Sequence, residues 1–142
     1  MFLAPEAGAP MHEVTAVEAV AGRGLVGDRY FGDYSYKEPG DITLFAREDV
    51  DAANDAAAVA IDNVDLRRNV MTVGIDLREI HGAAIRIDGV VVDLIKANPP
   101  CSHLQQVTGK PLLRPLVGRA GVRGRIRDGG TICEGDNVEW VT

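Results

Sequence analysis

The stretch NPPCSHL, residues 98–104, sets a cysteine behind two prolines and ahead of a serine, a histidine and a leucine. Pro100 keeps Pro99 out of the helical region and fixes its own φ, so a helix can begin only after it. CSHLQQVT, residues 101–108, is followed by Gly109, a residue suited to the left-handed conformation after a helix end, and a two-turn helix is expected. Its first residues are then Cys101 and Ser102. A thiol at a helix N-terminus sits near partial positive charge, which can lower its pKa from about 8.5 to roughly 3.5–7.5 and supply thiolate as nucleophile or metal ligand. The alternative is a small buried hydrophobe. His103 is either an acid–base group beside that thiol or an ordinary surface or hydrogen-bonded imidazole. No CxxC and no HxxxH occurs, so a zinc site is not expected. Cys133, between Ile132 and Glu134, reads as packing inside a barrel, and the two cysteines as separate thiols.

Two groups of arginines could meet an anion. Arg67, Arg68 and Asn69 fall within VDLRRNVMTV, residues 64–73, which reads as a strand; alternation then sends one arginine inward and its neighbour outward. The second group is Arg119, Arg123, Arg125 and Arg127. In VRGRIR the last three alternate with Val122, Gly124 and Ile126 and share one strand face. That face is either solvated or lines a pocket for a phosphorylated ligand, where Gly121 and Gly124 would let backbone approach closely. GLVGDRY, residues 24–30, is too short for a phosphate-binding glycine loop. Asp28 and Arg29 there pair, order the loop, or touch a ligand.

The elements that must position these groups are short. HEVTAVEAV, residues 12–20, and DITLF, residues 41–45, read as strands, and the alanine-rich AREDVDAANDAAA, residues 46–58, as the clearest helix. Asp88-Gly89 separates two β-branched runs in AIRIDGVVVDLI, the pattern of a type I′ hairpin. A second hairpin is expected where VRGRIR meets TICEGDNVEW across Asp128-Gly129-Gly130. The sum is one mainly β (β-rich α+β) domain over residues 1–142, a barrel or folded sheet with a helical insertion.

Composition limits the partners. The 142 residues carry a net charge of -6, which argues against non-specific binding to nucleic acid or an anionic membrane. The first 65 residues hold thirteen acids and four bases, whereas the rest hold eight acids and eleven bases, so the C-terminal half could accept an anion. The opening MFLAPEAGAP has neither a basic leader nor a sustained apolar run, and a cytoplasmic protein is expected.

GLVGDRY, DITLF, LRRNVMTVGIDL, IRIDGVVV, PPCSHLQQVTG, RAGVRGRI and GGTICEGD occur in that order, and together they resemble the MOSC domain, named for the C-terminal region of molybdenum cofactor sulfurase. The resemblance runs from about residue 5 to residue 138. It implies a closed or partly open β-barrel and a pterin-bound molybdenum, with Cys101 as metal ligand or as carrier of sulfane sulfur. In the related mitochondrial amidoxime-reducing component an Arg-x-Asn segment approaches the cofactor, and Arg67-Arg68-Asn69 is similar to it. The implied reading is a molybdenum cofactor (molybdopterin) protein that reduces N-hydroxylated small molecules. Arg67, Asn69 and Ser102 lie at the cofactor, and Arg119 or Arg123 at its phosphate. Electrons would come from a separate reductase. The alternatives are a persulfide carrier served by a cysteine desulfurase and a non-catalytic molybdopterin-binding module. The larger reductases carry an additional N-terminal β-barrel that is not expected within these 142 residues, so a homodimer is one way to complete the pocket. Pyridoxal phosphate is not expected, because a Schiff base needs a desolvated lysine and Lys37, Lys96 and Lys110 fall at turns or strand edges.

Overall fold

A computed structural model describes residues 1–32, 40–78 and 83–141. The described residues are mainly β with two α-helices. Its strands are β1 (Phe2–Leu3), β2 (His12–Glu13), β3 (Ala16–Val20), β4 (Gly24–Leu25), β5 (Ile42–Ala46), β6 (Val70–Thr72), β7 (Ala84–Ile87), β8 (Val90–Ala97), β9 (Val122–Asp128), β10 (Gly130–Cys133) and β11 (Val138–Trp140). The helices are α1 (Arg47–Ala56) and α2 (Ser102–Thr108). Six strands form a curled half-barrel in the order β11-β7-β8-β9-β5-β6, antiparallel except for the parallel pair β5-β6. A three-stranded sheet, β10-β3-β4, closes over it, and β1-β2 form a small ribbon.

Each strand's pattern states which layer it serves. Ile42 and Leu44 of β5 join Ile85, Val92 and Ile126 in a core completed by Val17, Leu25 and Ile132 of the three-stranded sheet. Phe45 faces the other way, into a second core with Val50 and Ala53 of α1 and Leu104 of α2. All five residues of β5 are therefore buried, as a strand covered on both faces requires. α1 begins directly after β5, carries Glu48 and Asp49 in its first turn, and ends before the extended Ala57. The Asn54 amide then donates to the Ile61 carbonyl (2.9 Å) and accepts from the Ile61 N–H (2.7 Å), steering the chain toward the site.

Three expectations change. Residues 64–73 do not form one strand. A 3₁₀ turn (Asn63–Leu66) is closed by a capping box between Asp62 and Asp65, Arg67 takes the left-handed conformation (φ 53°, ψ 39°), and only Val70–Thr72 are extended. The hairpin between β9 and its successor does not form, because β8 and β5 already occupy both edges of β9. The chain instead crosses to the three-stranded sheet at Gly129, where a Cβ would lie 2.5 Å from the Ala19 carbonyl oxygen. The turn joining β7 and β8 does pair Ile87 with Val90 across two residues, but of those two it is Asp88 that takes positive φ (52°).

Candidate functional site

The left-handed residue reorganises the arginine pair. In a strand Arg67 and Arg68 would face opposite ways; the reversal at Arg67 lets both side chains line one cleft of about 340 Å³. A non-glycine residue in this conformation costs on the order of 1–2 kcal/mol and persists where its surroundings enforce it. Here the enforcement is visible. Arg29 Nη2 donates to the Arg67 carbonyl (3.0 Å), and Arg29 is itself held by the buried Asp28 carboxylate (3.3 Å) and stacks on Tyr30 at 4.5 Å. Asp28 also accepts from the Ala4 and Tyr30 N–H groups, so the loop GLVGDRY is ordered by Asp28 while Arg29 reaches the cleft.

Asn69 works from behind. Its Oδ1 accepts from the Thr43 N–H (3.1 Å) and hydroxyl (3.0 Å), its Nδ2 donates to the Phe2 carbonyl (3.2 Å), and its own N–H donates to Thr43 Oγ1 (3.0 Å). This amide is fully buried and does not line the cleft. It fixes β6 to β5 and so sets where the left-handed turn sits. Arg68 spans the cleft wall, donating through Nε to the Ala120 carbonyl (3.0 Å) and through Nη2 to the Pro99 carbonyl (3.4 Å).

The opposite wall is the end of β8, the two prolines and α2. After Pro100, Cys101 is extended (φ -137°, ψ 165°) and forms the N-cap of α2, which ends at the left-handed Gly109 as the sequence implies. Cys101 is exposed at the rim of the cleft, His103 lines it too, and Leu104 anchors the helix in the core. Lys96 and Arg123 are register partners on β8 and β9 and both reach the cleft.

Cleft-lining cations therefore number five: Arg29, Arg67, Arg68, Lys96 and Arg123; no carboxylate lines it among the described residues. Burial pushes Arg68 down to about 10, with Arg123 and Arg29 acting the same way and Tyr30 and Cys101 opposing them. Burial and the neighbouring Arg29 likewise lower Arg67 from its ordinary value. An anion entering here would relieve both effects. Two buried donors, Arg67 Nη2 and Asn98 Nδ2, have no hydrogen-bond partner among the described residues. Each such orphan costs about 1–3 kcal/mol, more when charged.

Other sequence-derived positions fall elsewhere. Ser102 is exposed and outside the cleft lining. Arg119 donates to the Pro115 carbonyl (3.3 Å) and does not line the cleft. Arg125 and Arg127 are exposed on the outer face of β9, Arg127 paired with Asp93, so of that row Arg123 alone lines the cleft. Gly121 and Gly124 serve packing: a Cβ would stand 2.1 Å from the Leu44 carbonyl oxygen at the first and 2.5 Å from Val92 Cγ1 at the second. Cys133 is exposed, not interior; Ile132 is the residue of β10 that faces the core. Lys96 is exposed, Lys110 is bonded to Asp65 and Asp62, and Lys37 lies outside the described residues.

Sequence reasoning did not single out Lys96 and Asn98, and it did not assign Arg68 a contact of its own. Lys96 in β8 and Asn98 just past its end sit two positions apart ahead of the prolines, and that spacing was the available signal. A larger cleft of about 400 Å³ lies elsewhere, with Glu13, Asp62, Glu134 and Asp136 in its lining, and its charge is wrong for an anion. No group of three or more metal-ligating side chains occurs among the described residues, and no helix there is long and apolar enough to cross a membrane.

Crystal structures share this arrangement of elements. The YuaD protein of Bacillus subtilis matches with a TM-score of 0.84 at 19% identity, covering 99% of this chain and 92% of that one. YiiM from Escherichia coli matches at 0.70 and 14% identity, over 100% of this chain and 70% of that one. YiiM from Geobacillus stearothermophilus matches at 0.64 and 18% identity, over 72% of this chain and 55% of that one. No curated protein matches by sequence. The family model of the MOSC domain matches residues 32–139, a span that contains Arg67, Arg68, Asn98, Cys101 and Arg123. The chain belongs to the MOSC-domain family, a family linked to molybdenum cofactor binding.

Proposed function

We propose that the cleft binds a pterin-type molybdenum cofactor, with Cys101 as the molybdenum ligand, and that the protein reduces N-hydroxylated substrates. The supporting observation is the donor set: five cations, an exposed thiol and two unpartnered buried donors, with no carboxylate among the described lining residues. It fits the group on chemical grounds. Thiolate is a soft ligand for a metal already held by sulfur, and guanidinium forks suit a phosphate. When bound, the cofactor supplies two-electron redox chemistry. Arg67 and Arg68 would hold its phosphate, with Arg123 and Lys96 completing the positive wall. Asn69 acts as a positioning residue through Thr43, while Ser102 and Arg119 lie outside the cleft lining.

Reduction of an N–OH group breaks the N–O bond, consumes two electrons and two protons, and releases water. The electrons are assigned to a separate reductase, and His103, which lines the same cleft as Cys101, would pass a proton. The exposure of Cys101 supports a second reading, a persulfide carrier. Its thiolate would attack the outer sulfur of a donor's persulfide, and the donor would leave as a thiolate.

Protein isolated anaerobically from a molybdenum-replete host is expected to carry molybdenum and pterin, and Cys101→Ala to lose the metal while keeping its melting temperature, because the thiol is exposed. Sulfane sulfur on Cys101 without metal would favour the carrier. Pterin kept unchanged by the variant would favour a binding module. Protein with none of the three would end the reading.

A further inference from the structure

Two side chains in the cleft are built for something the protein itself does not provide. Arg67 is 6% exposed and Asn98 7%, yet Arg67 Nη2 and Asn98 Nδ2 find no acceptor among the described residues. They come from different segments, one beside the left-handed turn before β6 and the other just past β8, and both line the same cleft. The backbone that carries each is held in place. The Asn98 N–H donates to the Gly121 carbonyl (2.9 Å), the Arg67 N–H to the Val64 carbonyl (3.1 Å), and the Arg67 carbonyl accepts from Arg29.

A guanidinium has only donors, and an amide nitrogen likewise only donates. The missing partner is therefore a group rich in acceptors. A cleft lined with cations and, among the described residues, no carboxylate selects an anionic one. Asparagine adds what a sixth cation would not: an uncharged donor that rewards an acceptor oxygen at one place rather than negative charge anywhere in the cleft.

We propose that Asn98 and Arg67 form a buried seat for a tetrahedral oxyanion, and that Asn98 is its specificity-determining residue. The seat rests on the function proposed above only for the carrier of that oxyanion, which is either the phosphate ester of a pterin or a free inorganic oxyanion.

Apoprotein from a host unable to make the pterin is titrated calorimetrically with inorganic phosphate and, separately, with molybdate. The native chain is expected to bind phosphate, and Asn98→Asp, which places an acceptor where the donor stood, to weaken it by roughly tenfold or more. Asn98→Leu removes the unpaired donor without adding charge; it is expected to bind equally poorly while melting no lower than the native apoprotein, which separates loss of the seat from loss of fold. Preference for molybdate over phosphate would identify a free oxyanion, and preference for phosphate together with reduced pterin content of Asn98→Asp from a normal host would identify the ester. Phosphate binding in a protein that never acquires pterin or metal sustains the seat and ends the cofactor reading. Oxyanion binding and pterin content both unchanged by Asn98→Asp, or no oxyanion binding by the native apoprotein, overturns the seat.

Discussion

Arg67 concentrates the cost of the site in one position. It holds a left-handed backbone, a buried guanidinium and an Nη2 donor without a partner among the described residues. Arg67→Gly removes all three penalties. Glycine accepts φ 53° without strain, and the loss of the buried charge further favours the folded chain. The variant is expected to gain about 1 kcal/mol, read as a rise of roughly 3–5 °C in the melting midpoint by calorimetry, while losing anion binding. A drop in stability would show that the aliphatic stem of Arg67 packs more than its head group costs. Cys101, the prolines and the glycine after α2 were legible in the chain, because each acts on its nearest neighbours. Arg67 was not. Left-handed conformation at an arginine comes from Asp28 and Arg29 far upstream, and no local pattern announces it.

The elements repeat the lesson at longer range. Strand and helix positions governed by local propensity, β5, α1, the β7-β8 turn and α2, follow the sequence closely. Pairings governed by which edges are already taken do not: β10 leaves β9 for β3, and β11 joins β7. The cleft depends on one such contact. Gly121 lies at φ 86° where a Cβ would overlap the Leu44 carbonyl, and its own carbonyl holds the Asn98 N–H while the adjacent Ala120 carbonyl holds Arg68. Gly121→Ala is expected to cost on the order of 3 kcal/mol or more and to weaken oxyanion binding together with stability, measured by denaturant unfolding and titration. Gly74→Ala, also at positive φ but with open space around it, serves as the control and should cost far less.

At the scale of the molecule, charge and shape are arranged against each other. A chain of net charge -6 gathers five cationic side chains along one concave cleft, while Arg127 of the outward row on β9 is neutralised by Asp93. With that net charge, duplex DNA is expected to show no mobility shift with this protein even at low salt, where counterion release favours binding most. A shift abolished by high salt would show a basic surface that the net charge conceals. The crossing at Gly129 carries a separate consequence. β3 pairs with β10, and the two are more than a hundred residues apart along the chain. At a synthesis rate of about 5–20 residues per second, β3 leaves the ribosome roughly 5–20 s before its partner. Through that interval Val17 and Ala19, core residues in the finished protein, have no covering layer, and the nascent chain is open to chaperones and to aggregation until its last strands emerge.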